Sequence, residues 1–155
     1  TIQCDFALPE KFDLAYVGAD GKNARPVMLH RVIFGSLERF IGTLIEHYAG
    51  NFPVWLAPQQ VVIIALNSEV EEYAGEVQSQ LKDKSIRVSI DGASETLNKK
   101  IRNAELQKIP YVLVLGGREA QQKSVSVRSK TKGDLGVMKV EEFIERVLKE
   151  IKEKA

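Results

Sequence analysis

Two continuous apolar runs, Val61–Leu66 and Tyr111–Leu115, constrain the fold of this chain more than any other feature of its sequence. Runs of this kind are typical of strands that are buried on both faces of a sheet. Helical spacing of apolar residues over 69–84 and 96–108, with a strand-like stretch at 87–91 between them, completes a strand-helix-strand-helix-strand order. This order predicts a parallel sheet covered by helices.

Three further elements follow the second apolar run. We expect a strand over 125–129, a weaker strand over 135–139 and a closing helix over 140–154 that has one apolar and one Glu/Lys-rich face. Strands that follow each other closely add to a sheet in antiparallel fashion. The sequence therefore predicts an α/β fold with a mixed, mostly parallel five-stranded sheet flanked by helices.

The first part of the chain has a different pattern, with strand-like stretches around the turn cluster 18–23. Apolar residues then recur at helical spacing over 36–48, where Ser36 can cap the helix and Gly50 can close it. We interpret this part as a β-hairpin and a helix. The segment Asn51–Pro58, which carries two prolines and a tryptophan, suits a packed linker.

These patterns divide the chain into three parts, namely residues 1–50, a linker at 51–58 and a second domain at 59–155. The single cysteine, Cys4, excludes an internal disulfide and a multi-cysteine metal site. No apolar run approaches the roughly 20 residues that span a bilayer, so we predict a cytoplasmic protein without a membrane partner. Because the chain opens on Thr1 in a strand-like stretch, we expect it to be part of a longer protein.

Positive charge is concentrated in the second domain. The stretch Ser85–Gly133 holds ten Lys and Arg against four Asp and Glu, an excess of six, although the whole chain has a formal net charge of +1. Such a stretch points to a polyanionic partner. The alternative is an ordinary solvated surface.

Few residues suggest chemistry when they are taken alone. His30 beside a strand is usually structural, and Arg39 could bind a phosphate or pair with Glu38 and Glu46. The pair Gly116-Gly117 follows a buried strand, where ligands of open α/β sheets gather, but it also fits a simple turn. No phosphate-binding glycine fingerprint is present, which argues against a nucleotide site.

The segment 30–58, HRVIFGSLERFIGTLIEHYAGNFPVWLAP, resembles motif 3 of class II aminoacyl-tRNA synthetases in its threonyl form. The strings QQVVIIAL, IRVSIDGASETLNKKIR, IPYVLVLGGRE and VSVRSKTKGDLG extend this resemblance over essentially the whole chain. It implies that residues 1–50 are the end of the catalytic domain. Residues from about 58 would then form the anticodon-binding domain that the prolyl, histidyl and glycyl enzymes share.

For the first fifty residues, the resemblance implies roles in the active site of the longer protein, here called the parent enzyme. His30 would be one of three zinc ligands, the other two lying upstream of Thr1, and Cys4 would not replace them. Gln3 would lie near the substrate pocket. Arg39 would brace the ATP phosphates, with Ser36 on the same wall of the ATP site.

For the second domain, the resemblance implies that anticodon bases are read by Ser94, Arg102, Glu119 and Arg128. Ser94 stands where we expect asparagine in the family. The other three residues match the family pattern.

The resemblance implies recognition of the threonine tRNA anticodon stem-loop within a homodimeric parent enzyme that joins threonine to its tRNA with ATP. Zinc and Mg-ATP would act in the parent enzyme, and we expect neither to bind this chain stably. Because motifs 1 and 2 and two zinc ligands are absent, we expect the chain alone to be inactive. The alternatives are a stand-alone RNA-binding or accessory protein and, with less support, a doubly wound small-molecule-binding domain.

Overall fold

The computed structural model describes residues 1–154. The chain forms two compact units, one over residues 1–46 and one from residue 47 onward. The division falls inside a helix, a few residues before the boundary expected at residue 50, and the domain limits expected from the sequence stay predictions.

The first unit consists of two small antiparallel pairs and two helices. Strand β1 pairs with β4, and β2 pairs with β3 across the predicted turn. A short helix, α1, was not predicted; it begins where Asp5 Oδ1 accepts hydrogen bonds from the backbone N–H groups of Ala7 and Leu8 at 2.8 and 3.0 Å. The elements are β1 (Ile2–Asp5), α1 (Ala7–Lys11), β2 (Tyr16–Val17), β3 (Asn23–Ala24), β4 (Met28–Arg31) and α2 (Leu37–Tyr48), the last of which continues into the second unit.

The second unit is built on a five-stranded sheet with the strand order β6-β5-β7-β8-β9. Its strands are β5 (Val61–Ala65), β6 (Val88–Ile90), β7 (Tyr111–Leu115), β8 (Ser124–Ser129) and β9 (Gly133–Lys139). Its helices are α3 (Glu71–Asp83), α4 (Leu97–Leu106), α5 (Gly117–Gln122) and α6 (Val140–Glu153), and a 3-10 turn covers Ser68–Val70.

The predicted α/β fold and mixed five-stranded sheet are confirmed. Strand β5 is parallel to β6 and β7, whereas β8 is antiparallel to β7 and β9. Two of the four pairings are therefore parallel, a smaller share than the sequence suggested. Helix α5 was not predicted, because it has only six residues, beginning at Gly117, and these are too few to show a helical period.

Both faces of the sheet are covered by helices, which explains the continuous apolar runs. Val61, Ile63 and Leu113 pack on one face against α3 and α6, while Val62, Ile64 and other side chains pack on the opposite face against α4. Alternate residues of one strand thus enter separate apolar clusters. The larger cluster contains the fully buried Phe143 of α6.

The segment that precedes β5 is fixed to the sheet by a buried amide. Gln60 is 1% exposed, and its Nε2 donates to the carbonyl of Val54 at 2.8 Å while its Oε1 accepts from the backbone N–H of Arg87 at 2.8 Å. The Arg87 guanidinium donates to the carbonyls of Ala57 and Trp55 at 2.9 and 2.8 Å. We call these contacts the Gln60–Arg87 clamp, and they attach this segment to the second unit.

Candidate functional site

The carboxyl ends of the parallel strands β5, β6 and β7 lie at one edge of the sheet. A cleft of about 920 Å³ opens at the ends of β5 and β6. Its walls come from the residues after each strand and from the start of α4, namely Ala65, Leu66, Asn67, Ser68, Glu71, Ile90, Asp91, Gly92, Ala93, Ser94, Glu95, Thr96 and Lys100. This is the position at which ligands bind in open α/β sheets.

Ser94 lies in this cleft, on the exposed loop between β6 and α4. The loop is held by its own hydrogen bonds, because Asp91 Oδ1 accepts from the backbone N–H of Ala93 at 2.9 Å and Glu95 N–H reaches the Ala93 carbonyl at 2.9 Å. The Ser94 side chain is therefore presented to the cleft by an ordered turn.

Glu119 is fixed at the end of the third parallel strand by the glycine pair. Gly116 precedes α5, and its backbone N–H donates to Glu119 Oε2 at 2.9 Å. A Cβ on Gly116 would lie 2.9 Å from that carboxylate oxygen and 3.1 Å from Leu66 Cδ1. A side chain at position 116 would therefore displace the Glu119 carboxylate from this hydrogen bond.

Arg128 lies on β8 opposite Val112 of β7, so both side chains occupy the sheet face on which α4 packs. It lines a cavity of about 300 Å³ together with Ile101, Glu105 and Lys130, among others. Within residues 1–154, no carboxylate lies within 4 Å of its guanidinium. Its donors are therefore available to a ligand.

Arg102 is exposed on α4, one turn before Glu105. Residues three apart are neighbours on a helix surface, so Arg102 lies beside Glu105. Glu105 lines the same cavity as Arg128. The structure thus brings Arg102 and Arg128 to one face of the sheet. Ser94 lies in the cleft at the strand ends and lines no cavity in common with Arg128.

Lysines add positive charge along the same side of the domain. Lys130 is partly buried and donates to the carbonyl of Lys108 at 3.4 Å. Burial, together with the nearby charge of Lys108, lowers the pKa of Lys130 below its usual value. An anion placed between these ammonium groups would relieve their repulsion.

In the first unit, Gln3 and His30 are directly opposite each other in the β1–β4 pair. His30 Nε2 lies 3.0 Å from Asp5 Oδ2, and the pKa of Asp5 is lowered by the backbone N–H of Leu8 and then by His30. Cys4 occupies the opposite face of β1, because side chains alternate along a strand.

Of the three zinc ligands that the resemblance implies, the first unit would supply only His30. No group of three His, Cys, Asp or Glu side chains suited to a metal ion occurs among the residues that the structure describes. One imidazole and one carboxylate are too few for zinc, which takes three or four protein ligands. Zinc ligation by His30 stays a prediction, and it would require ligands in addition to these two side chains.

Ser36 caps α2 as expected, since its Oγ accepts from the backbone N–H of Arg39 at 3.4 Å and donates to Glu38 Oε2 at 2.7 Å. The pairing of Arg39 with Glu38 or Glu46 that the sequence left open is not among the ion pairs of residues 1–154. Arg39 is exposed on the first turn of α2.

No helix in the described part of the chain is both long and apolar enough to cross a membrane.

Two residues of these sites were missed by the sequence interpretation. Lys100 lines the cleft, and it lies on the same face of α4 as Leu97 and Ala104, three residues before it and four after. That spacing was a usable signal, although a lysine on the face turned to the sheet is easily taken for a solvated charge. Asp5 was missed because nothing in a sequence shows that it pairs with His30.

Comparison with known proteins identifies the domain. A family model described as an anticodon binding domain matches residues 60–150. The chain is 56% identical over 154 residues to the threonine–tRNA ligase of Clostridium novyi and 54% identical to that of Carboxydothermus hydrogenoformans, covering 99% of this chain and 24% of each protein. The chain thus spans about a quarter of the length of these relatives.

Solved structures agree with this assignment. The RNA binding domain of threonyl-tRNA synthetase from Cryptosporidium parvum matches 96% of this chain and 38% of that chain at 35% identity, with a TM-score of 0.73. A prolyl-tRNA synthetase of the same organism shares the fold at 21% identity and a TM-score of 0.65, over 94% of this chain and 31% of that one. The chain belongs to the anticodon binding domain family and is homologous to threonine–tRNA ligases.

Proposed function

We propose that this chain recognises the anticodon stem-loop of threonine tRNA as part of a threonine–tRNA ligase. The observation that carries this proposal is the arrangement at the sheet. Ser94 and Glu119 follow parallel strands that end at one edge, and Arg128 extends from a neighbouring strand with its guanidinium unpaired among the described residues. The family match and the threonine–tRNA ligase relatives support the same function.

The chemistry of these side chains suits the reading of unpaired bases. A carboxylate such as Glu119 accepts from base amino groups, and an arginine such as Arg128 donates to keto oxygens and ring nitrogens. Arg102 would contact the backbone or a base on the same face. Ser94 would add a hydroxyl that both donates and accepts.

The reaction of the parent enzyme belongs to this proposal as well. Threonine would be activated with ATP and then transferred to its tRNA, with Gln3 near the substrate, Arg39 and Ser36 near ATP and His30 as one zinc ligand of three. We propose that the chain alone carries no such activity and holds neither zinc nor Mg-ATP stably. Threonine-dependent pyrophosphate exchange above background by this chain would contradict that. A cytoplasmic location and a dimeric parent enzyme remain predictions.

The experiment for RNA recognition compares two RNA hairpins that differ only in the three anticodon bases. Fluorescence anisotropy at one fixed salt concentration would give the affinity of the chain for the threonine loop and for the altered loop. We expect a clear preference for the threonine loop. Equal affinities would show that the domain binds RNA without reading its sequence.

The alternative of a stand-alone RNA-binding or accessory protein finds no support in the relatives described above, which are threonine–tRNA ligases. A small-molecule site in the sheet likewise lacks the glycine fingerprint that phosphate binding needs. Anticodon-dependent binding, measured as described, separates both RNA-binding hypotheses from a small-molecule site. Sequencing of the full reading frame separates the first two, because only a ligase would encode motifs 1 and 2 upstream of Thr1.

A further inference from the structure

Lys100 is a buried lysine that the proposed contacts leave unused. It is 8% exposed and lies on the face of α4 turned toward the sheet, beside Ile101 and Ala104. Its Nζ donates one hydrogen bond, to the carbonyl of Asp91 at 3.1 Å. Among the ion pairs of the described residues, none involves Lys100. An ammonium carries three donors, so two remain for a ligand that enters the cleft that Lys100 lines.

The cleft at the ends of β5 and β6 surrounds this ammonium with a surface suited to a flat ring. Ala65, Leu66 and Ile90 give it apolar walls, and Leu66 is 51% exposed. Polar side chains, including Asn67 and Ser94, lie around them. A nucleobase has the matching form, with an apolar face and hydrogen-bonding edges.

We propose that Lys100 makes this cleft selective for nucleobases that carry a keto oxygen, guanine or uracil, over those that carry an amino group in its place. An ammonium can only donate, so it binds a keto oxygen. An amino group would set two donors against each other and leave a buried donor without an acceptor. This inference rests on the proposed anticodon recognition and adds a specificity-determining residue to it.

The competing explanation is that Lys100 only ties α4 to the loop after β6 through the Asp91 carbonyl. In that case its loss would lower stability and weaken all RNA ligands alike. A contact with a base instead predicts that one specific distinction between bases is lost. The experiment therefore measures discrimination between matched bases as well as affinity.

The probe is the threonine anticodon hairpin with single-group changes at each anticodon position in turn. Guanine is replaced by 2,6-diaminopurine and uracil by cytosine, which exchange a keto for an amino group with little change of shape. For the unaltered chain at fixed salt, we expect the exchange at one position to weaken binding about tenfold, within the range of a base contact. No such loss at any keto position, in a chain that does prefer the threonine loop, would overturn the proposal.

Lys100→Met keeps the length of the side chain and removes its donors. We expect it to bind the unmodified hairpin more weakly and to discriminate less than about twofold between the keto and amino forms. Lys99→Met is the matched control, because it removes the same charge from the adjacent residue, whose Nζ pairs with Glu95 at 2.6 Å. It should lower the affinities for both forms by the same factor.

Circular dichroism and thermal melting show whether Lys100→Met is folded. A folded Lys100→Met chain that keeps full keto–amino discrimination would overturn the proposal. If Lys100→Met does not fold, Lys100→Gln takes its place, because its amide keeps a donor for the Asp91 carbonyl and can also accept from an amino group, so the same loss of keto–amino discrimination is expected. Absence of any anticodon preference in the unaltered chain would instead overturn the proposed function, so the two failures are distinguishable.

Discussion

Glu119 Oε2 accepts a hydrogen bond of 2.9 Å from the backbone N–H of Gly116, three residues before it. The carboxylate that is proposed to read a base is therefore also the residue that stabilises the start of α5. A substitution of Glu119 acts on both roles, and an experiment has to separate them.

A comparison of Glu119→Gln with Glu119→Ala separates the capping role from the base-reading role. Glutamine keeps an acceptor for the Gly116 N–H, whereas alanine leaves that N–H without one. Loss of such a cap costs about 0.5–2 kcal/mol of unfolding free energy. We expect Glu119→Ala to lower the melting temperature and Glu119→Gln to leave it nearly unchanged, while both reduce the preference for the threonine loop. Equal melting temperatures of the two variants would contradict the capping role.

Gly116→Ala tests the close approach at the same turn. The new Cβ would lie 2.9 Å from Glu119 Oε2 and 3.1 Å from Leu66 Cδ1, so the side chains must shift. Because Glu119 Oε2 ends a flexible side chain, it can move away but would lose its hydrogen bond to the Gly116 N–H. We expect a destabilisation of about 0.5–2 kcal/mol, as for a lost cap, measured by urea unfolding. Gly117→Ala is the control, because within the described residues nothing lies within 4 Å of a Cβ at that position. Equal effects at the two glycines would argue against the steric explanation.

Arg128 and Lys130 lie on and just after the same strand and are predicted to act differently. Loss of a bidentate base contact costs about 1–3 kcal/mol, so Arg128→Ala should weaken binding to the threonine loop and far less to a loop with altered bases. We propose that Lys130 contacts only phosphate, so Lys130→Ala should weaken both loops alike and reduce the slope of affinity against salt concentration. Equal losses on both loops for Arg128→Ala would mean that this residue positions the RNA without reading it.

The raised pKa of Tyr111 makes the stability of the folded chain depend on pH in alkaline solution. Its hydroxyl donates to Glu150 at 2.8 Å, and burial followed by the contact with Glu150 raises the pKa of Tyr111 to about 12. The unfolded value is about 10, so the folded state holds this proton more tightly. The stabilisation is complete below pH 10 and is lost as the pH rises toward 12.

Tyr111→Phe should therefore make the free energy of unfolding less steeply dependent on pH between 10 and 12. Denaturant unfolding at several pH values measures this slope. Tyr73, whose pKa is also raised to about 12 by burial, remains in the variant and gives the residual slope. An unchanged slope would show that Tyr111 does not contribute.

The strands of the sheet could be predicted because burial on both faces leaves an uninterrupted apolar signature, as in Val61–Leu66. Helices α1 and α5 could not, because each has too few residues to show a period; α1 begins at the hydrogen bonds to Asp5 Oδ1 and α5 begins at a glycine turn. The resemblance located Glu119 and Arg128, but their surroundings, including the cap at Gly116, come from tertiary contacts. Lys100 shows the limit most clearly, because its lack of an ion-pair partner among the described residues appears only once the chain is folded.

The Gln60–Arg87 clamp bears on how this protein should be divided for experiments. A shortened domain that begins at residue 59, where the sequence suggests a boundary, would delete the carbonyls of Val54, Trp55 and Ala57 that accept from the two side chains. Three donors would then lose their acceptors, and one of them, Gln60 Nε2, belongs to a buried side chain. A piece that keeps the Gln60–Arg87 clamp therefore starts no later than Val54.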